Sequence, residues 1–198
     1  MAQPQAEMEL RAWLDALAAG TPAPGGGAVA ALSAAGAAAL VAMTCRVTIG
    51  RPAYAEAEDL LEDVLEDAEQ LRLAALELMD EDGRAYGKVI AASRMPKSRE
   101  EEKAARRTAL DDALVGAAGV PLQVAKLAAT LVGIADRIRP HVNRNALEDL
   151  EAAAIAARSA LDISLMNART NLSLVSGQDR CGNALAELQE LERTRRSF

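Results

Sequence analysis

The sequence predicts an all-α fold: a single-domain antiparallel helical bundle that forms a dimer. Apolar residues recur at steps of three and four, and no segment shows the sustained alternation of β-branched residues that is typical of strands. Hydrophobic residues make up 51% of the chain but aromatic residues only 2%, and alanine, the strongest helix former, fills much of the difference. The 198 residues suit one domain, and no repeat or low-complexity linker divides them, so residues 1–198 are interpreted as one bundle.

Glycine and proline mark the predicted helix ends in the first half of the chain. A first helix is predicted over residues 5–19, which Gly20 stops, and a loop over residues 21–27. The second predicted helix, residues 28–49, is closed by Gly50 and Pro52. A third runs over residues 55–93, before Pro96, and its apolar stripe consists of Leu61, Val64, Ala68, Leu71, Ala75 and Met79.

The second half of the chain predicts four more helical segments. Residues 98–116 and 119–138 are predicted as a shorter pair, separated near Gly116 and Gly119 because glycine weakens a helix. A long helix is predicted over residues 145–175, and a charged terminal helix over residues 183–195.

Composition limits the partners and the compartment. The net charge of −7 argues against general binding of nucleic acids or anionic membranes. The two cysteines form no C-x-x-C pair, and the N-terminus lacks a basic region followed by an apolar run, so we expect a cytoplasmic protein without disulfides. An alanine-rich core buries little side-chain area per residue, so we expect a homo-oligomer to add buried surface.

One charge-free run, residues 28–45, is long enough to raise the question of a membrane span. Alanine is only weakly apolar, and the run contains Ser33, Gly36 and Thr44. We therefore interpret it as a buried central helix.

Three consecutive glycines, Gly25, Gly26 and Gly27, precede this helix. They favour a close approach of the backbone, and the free N–H groups of a helix N-terminus favour a carboxylate or another polar group. The alternative is a tight turn that lets two helices touch. No Gly-Lys-Ser/Thr sequence follows, so the segment is not a Walker A loop.

A carboxylate interrupts the apolar stripe of the third helix. If the helix continues past Met79, Asp82 falls on the inward face, followed by Tyr86. Burial raises the pKa of an unpaired carboxyl, which suits a general acid or base. The alternatives are a structural ion pair with Arg46 or a kink near Gly83.

Polar residues cluster at the start and along the face of the long helix at 145–175. Asn145 and Glu148 have the spacing of a capping box, which accounts for them without a function. Ser164, Asn167 and Asn171 share a face, which can line a cleft or hydrogen-bond neighbouring backbones. The single histidine, His141, follows a proline and is expected to be exposed, and no Cys/His cluster has metal-ligand spacing.

Together these stretches resemble the cyclodeaminase/cyclohydrolase family, which includes methenyltetrahydrofolate cyclohydrolases and the cyclodeaminase domain of formiminotransferase-cyclodeaminase. The resemblance is carried by PAPGGGAVAALSAAGAAALVAMTCRVTIG (22–50), DEDGRAYGKVIAASRMPKSREEEKAAR (80–106), GVPLQVAKLA (119–128), NRNALED (143–149) and NARTNL (167–172). It implies an all-α homodimer that takes a tetrahydrofolate derivative as its substrate, with no metal and no permanently bound cofactor.

The resemblance also implies roles for particular residues. Proton transfer falls to Asp82 and Asp149, and substrate orientation to Asn143 and Asn145. Gly25, Gly26 and Gly27 would approach the ligand, and Arg46 or Arg51 would meet its glutamate tail. The expected activity is hydrolysis of methenyltetrahydrofolate to formyltetrahydrofolate. The alternatives are a formiminotetrahydrofolate cyclodeaminase that releases ammonia and a non-catalytic helical protein that binds folate or another small ligand.

Overall fold

Six α-helices form the bundle, and one of them lies at its centre. The computed structural model describes residues 3–198, apart from the side chain of Gln178, and contains no strand within them, which confirms the all-α prediction. The helices are α1 (Leu10–Ala18), α2 (Gly26–Arg46), α3 (Glu58–Ser93), α4 (Glu100–Ile138), α5 (Leu147–Ser173) and α6 (Gly182–Arg195). Short 3-10 helices lie at Gln5–Glu7, Pro52–Ala57, Arg139–His141, Arg144–Ala146 and Gln178–Cys181.

The central helix is α2, which packs against α3, α4 and α5. Its inward face is almost entirely alanine, with Ala31, Ala34 and Ala38 fully buried, so the neighbouring helices approach its backbone closely. By length and mean hydropathy, two helical segments could cross a membrane, Gly26–Arg46 and Glu100–His141. Their apolar windows are 61% and 67% buried within the bundle, which is the pattern of core helices.

Two predicted boundaries near the N-terminus are wrong. The first predicted helix is a 3-10 turn at Gln5–Glu7 followed by α1, which begins only at Leu10. Helix α2 begins at Gly26, so Gly26 and Gly27 belong to its first turn, and only Gly25 lies outside as the N-cap. The missing side chain of Gly27 makes room for a neighbour on α3, and Gly26 lies beside α5.

The predicted break between residues 116 and 119 is also wrong, because α4 runs without interruption through Gly116, Gly119 and Pro121. A proline within a helix has no N–H to donate to the carbonyl four residues earlier, which here is that of Ala117. The side-chain amide of Asn171, on α5, donates to this carbonyl at 3.0 Å. The neighbouring helix thus supplies the hydrogen bond that Pro121 removes, and α4 stays intact.

The capping box predicted for α5 does not form. The helix begins at Leu147, and no side chain caps it. Instead, the Asn143 side chain accepts a hydrogen bond from the Asn145 backbone N–H at 3.1 Å, and the backbone N–H of Asn143 donates to Thr48 Oγ1 at 3.0 Å. Asn143 therefore ties the start of α5 to the segment that follows α2.

Candidate functional site

The Asp82 carboxyl group lies against the first turn of α2. A Cβ atom built on Gly27 would come within 2.0 Å of Asp82 Oδ1, and the backbone N–H of Ala28 donates to the carboxyl group. Only glycine leaves room for this contact. The inward orientation expected for Asp82 is confirmed, whereas the ion pair with Arg46 is wrong, since Arg46 hydrogen-bonds Glu69. Helix α3 continues without a break through Gly83 to Ser93.

Burial raises the pKa of Asp82 above its ordinary value, and the hydrogen bond from Ala28 opposes part of that rise. No Lys, Arg or His within residues 3–198 forms an ion pair with Asp82. A half-buried carboxyl group with a raised pKa and no cationic partner is suited to exchanging a proton with a bound molecule.

Two other segments lie near the Asp82 turn. A Cβ on Gly26 would lie 3.7 Å from Asn167 Nδ2, which places Asn167 of α5 beside the start of α2. On the other side, Gln5 donates from its backbone N–H to Asp80 Oδ1 at 2.6 Å and from its side chain to the carbonyl of Met79 at 2.9 Å. Sequence periodicity did not single out Gln5, because this residue lies in a 3-10 turn outside the helices of the bundle.

A cleft of about 440 Å³ opens between α3 and α4, beside the Asp82 turn. This volume is in the range of small-molecule sites. Arg84 and Lys88 line it and are engaged in no ion pair within residues 3–198, so they are available to an anionic group. Sequence reasoning missed both, although they stand four residues apart and so share one helical face. The remaining lining residues are Glu81, Ala85, Asp112, Ala113, Gly116, Ala117, Gly119, Val120 and Gln123.

The other predicted site residues lie at the opposite end of α2. Arg46 is its last residue and bonds Glu69 at 2.9 Å, while Arg51 is exposed in the segment that follows. Asn143 is buried there, and Asn145 and Asp149 are exposed. A helix of 21 residues is roughly 30 Å long. Within one chain, the three glycines Gly25, Gly26 and Gly27 therefore lie near Asp82. The other five predicted site residues lie at the far end of α2 and are Arg46, Arg51, Asn143, Asn145 and Asp149.

Other chemistries find little support in the described part of the chain. No group of three or more His, Cys, Asp or Glu side chains within residues 3–198 is placed to hold a metal ion. Both cysteines are free and buried, and burial raises the pKa of the Cys45 thiol to about 11, so it is a poor nucleophile at neutral pH. The Asp82 carboxyl group at the start of α2 thus remains the best-supported candidate for chemistry.

Known proteins resemble this chain in sequence and in fold. A family model described as formiminotransferase-cyclodeaminase matches residues 9–190. The methenyltetrahydrofolate cyclohydrolase of Methylorubrum extorquens is 36% identical over 92% of this chain and 86% of its own. The formimidoyltransferase-cyclodeaminase of Rattus norvegicus is 31% identical over 84% of this chain, which spans only 31% of that longer protein. The crystal structure of formiminotetrahydrofolate cyclodeaminase from Thermotoga maritima superimposes with a TM-score of 0.86 at 29% identity, covering 96% of this chain and 91% of that one.

Proposed function

Since the chain belongs to the formiminotransferase-cyclodeaminase family, we propose that it is a folate-dependent one-carbon enzyme that hydrolyses methenyltetrahydrofolate to formyltetrahydrofolate. The observation that carries the chemistry is the Asp82 carboxyl group, which Gly27 admits to the first turn of α2. The identity of 36% with a methenyltetrahydrofolate cyclohydrolase, along nearly the whole of both chains, supports this choice of reaction.

The proposed reaction needs a base and then an acid. The methenyl carbon bridges two nitrogens and carries delocalised positive charge. As the water oxygen bonds to this carbon, Asp82 takes a proton from the water. When the bond from the carbon to one nitrogen breaks, the same carboxyl group returns a proton to that nitrogen. The hydroxyl group on the carbon loses its proton to solvent and becomes the carbonyl, so that a formyl group remains on the other nitrogen. The cationic substrate favours the ionised carboxylate, which offsets the desolvation that raises the pKa of Asp82.

A second candidate reaction is cyclodeamination of formiminotetrahydrofolate, which the similarity to the Thermotoga maritima enzyme favours. In that reaction the second folate nitrogen, outside the ring, attacks the formimino carbon and gives up its proton. The formimino nitrogen gains two protons and leaves as ammonia. Both reactions pass through a tetrahedral carbon between nitrogens, so one carboxyl group can serve either.

The same proposal includes a homodimer, no permanently bound cofactor and a cytoplasmic location. The dimer is supported by the outward face of α2, which is exposed at Gly36 and Ala39 and carries no charged residue before Arg46. The location is supported by the buried, unpaired cysteines, which are typical of a reducing compartment.

The deciding experiment follows the near-ultraviolet absorbance band of methenyltetrahydrofolate. Hydrolysis removes the band, so we expect its decay to be faster with the protein than in the same buffer alone. Formiminotetrahydrofolate incubated in parallel, with ammonia as the readout, tests the second candidate. If neither substrate turns over but either quenches the fluorescence of Trp13, the only tryptophan, the protein is a folate-binding protein and not an enzyme.

A further inference from the structure

Two positively charged side chains in the cleft between α3 and α4 have no acidic partner within residues 3–198. Arg84 and Lys88 line this cleft, and both are exposed. They stand four residues apart on α3, so they project from the same helical face. No ion pair in the described part of the chain includes either of them. Two such cations in a concave site favour a carboxylate ligand, which accepts charge-assisted hydrogen bonds from both groups.

The acidic side chains of the cleft do not neutralise these two cations. Asp112 accepts a hydrogen bond from Arg180 at 2.7 Å, so its charge is already balanced. Glu81 precedes Asp82 in the chain and forms no ion pair within residues 3–198. The cleft therefore has an acidic end, beside Asp82, and a basic end at Lys88.

The side of the cleft that α4 contributes is formed mostly by small residues. A Cβ built on Gly116 or Gly119 would meet nothing within 4 Å, so both glycines face open space. Ala113, Ala117 and Val120 complete this side. Because none of these five residues has a long side chain, a flat ring can lie against α4 between the acidic and the basic end. The cleft volume of about 440 Å³ leaves room for such a ring.

The charges of methenyltetrahydrofolate follow the same order. The methenyl carbon is cationic, the glutamate tail carries two carboxylates, and a benzoyl ring with its amide separates them. By standard bond lengths the ring and amide span about 10 Å. The six residues from Asp82 to Lys88 rise about 9 Å along α3. A ligand with its cationic carbon near Asp82 therefore brings its carboxylates to the basic end of the cleft.

The arginines expected from the sequence to meet the tail are too far from Asp82 within one chain. Arg46 hydrogen-bonds Glu69 at 2.9 Å, at the end of α2 opposite to Gly27 and Asp82. Helix α2 is roughly 30 Å long, which is well beyond the reach of a tail whose ring and amide span about 10 Å.

We propose that the cleft between α3 and α4 binds the glutamate tail of the folate substrate, with Arg84 and Lys88 holding its carboxylates. This inference rests on the proposed function and names the part of the substrate that these two residues recognise. The planar guanidinium of Arg84 can donate two parallel hydrogen bonds to one carboxylate, and the ammonium group of Lys88 donates to the other. The reversed orientation would bring the cationic carbon to Lys88, so the charges of the cleft also orient the substrate.

A substrate without the tail tests this assignment. In the analogue a neutral methylamide replaces the glutamate, so the ring, the amide and the methenyl carbon are kept. The wild type should have a kcat/KM at least about tenfold higher for methenyltetrahydrofolate than for the analogue, because charge-assisted hydrogen bonds are lost. The double variant Arg84→Gln/Lys88→Gln should lose most of this preference, since its kcat/KM should fall mainly for methenyltetrahydrofolate.

Two variants serve as controls for the charge. Lys88→Arg keeps the charge and should keep most of the preference for the tail. Arg137→Gln removes an exposed arginine of α4 that lies outside the cleft and forms no ion pair within residues 3–198, so it should keep the full preference. A wild type without the preference overturns the proposal, as does a double variant that retains it.

Filling the cleft tests the place of the ring without any turnover. Gly116→Leu extends a side chain into the cleft, so by calorimetry it should bind both tetrahydrofolate and its methylamide analogue more weakly than the wild type. Gly133→Leu, at an exposed glycine of α4 outside the cleft, should bind both as the wild type does. Unchanged binding by Gly116→Leu overturns the proposal.

The same calorimetry separates this proposal from the proposed function. A wild type that binds tetrahydrofolate more tightly than the methylamide analogue, but does not turn over methenyltetrahydrofolate, rejects the enzymatic function and supports the tail site. An active wild type that binds the two compounds equally well keeps the function and overturns the tail site.

Discussion

At the scale of single residues, the contact between Gly27 and Asp82 should be required for turnover. In Gly27→Ala the new methyl group would lie 2.0 Å from Asp82 Oδ1, so the carboxyl group must move away from the N-terminus of α2. We expect kcat to fall at least about tenfold, since displacing a positioned acid or base removes part of a 10²–10⁴-fold contribution, while far-ultraviolet circular dichroism stays unchanged.

The matched control for this prediction is Gly133→Ala. Gly133 is also a helical glycine, but it is exposed, and an added Cβ meets nothing within 4 Å. Alanine there should leave kcat unchanged and stabilise the protein by up to about 1 kcal/mol. If Gly27→Ala is as active as this control, turnover does not depend on the position of the Asp82 carboxyl group.

The carboxyl group itself can be tested by Asp82→Asn, which keeps the shape and removes the charge. If Asp82 is the base, kcat should drop by roughly 10²–10⁴-fold. Because burial raises the pKa of Asp82 in the folded state, protonation favours folding, and the stability associated with this group is lost as the pH rises through that pKa. The asparagine variant should therefore melt at the same or a higher temperature at pH 7.

The pH profile of the wild type gives a second measurement of Asp82. A base must be ionised, so kcat/KM should fall as the pH is lowered through the raised pKa of Asp82, and this acid limb should be absent from the residual activity of Asp82→Asn. A variant that melts much lower than the wild type but keeps its specific rate would show that Asp82 is structural.

At the scale of helices, the hydrogen bond from Asn171 should explain why α4 tolerates a proline. In Asn171→Ala the buried Ala117 carbonyl loses its donor, which should cost about 1–3 kcal/mol in denaturant unfolding. In the Pro121→Ala background the backbone N–H is restored, so the same substitution should cost much less. Equal costs in the two backgrounds of this double-mutant cycle would contradict the pairing of Asn171 with Pro121.

The same pair shows how far the sequence predicts the helices. The periodic apolar stripe of residues 55–93 was enough to predict α3, because burial of that stripe is what stabilises the helix. The break predicted in α4 was wrong, because Gly116, Gly119 and Pro121 are local signals, whereas the hydrogen bond that overrides them comes from α5. Local rules cannot include a donor 54 residues away in the chain.

The candidate site could be predicted only in part, because local sequence patterns do not show which elements come into contact. Periodicity alone placed Asp82 on the inward face of α3, and the glycines before Ala28 indicated a close approach. Neither pattern showed that these two features meet, since that depends on the antiparallel packing of α2 and α3. Nor did any pattern show that Asp149 would lie at the other end of the bundle.

At the scale of the whole molecule, the core consists largely of small side chains, which bury little apolar area. A dimer would bury additional apolar area. Within one chain, the neighbouring helices cover only the inner face of α2. Ion pairs between α6 and α5, such as that of Arg195 with Asp162, are exposed and add little stability. The apolar outer face of α2 would therefore contribute to stability only when a partner covers it. Dissociation should lower the melting temperature, so thermal stability should depend on protein concentration.

The last prediction is that Gly36→Leu converts a dimer into a folded monomer. Within one chain nothing lies within 4 Å of a Cβ at Gly36, so leucine fits without disturbing the bundle. In a dimer through the outer face of α2, Gly36 lies at the middle of the contacting helix, and leucines there would push the two α2 helices apart. By sedimentation, the wild type should have twice the mass of the 20.8 kDa chain and the variant the mass of one chain, with equal helicity. Gly133→Leu, at an exposed glycine of α4 with equal space around it, should remain dimeric. A wild type that is monomeric at micromolar concentration, or a Gly36→Leu variant that stays dimeric, would show that this face of α2 is not the interface.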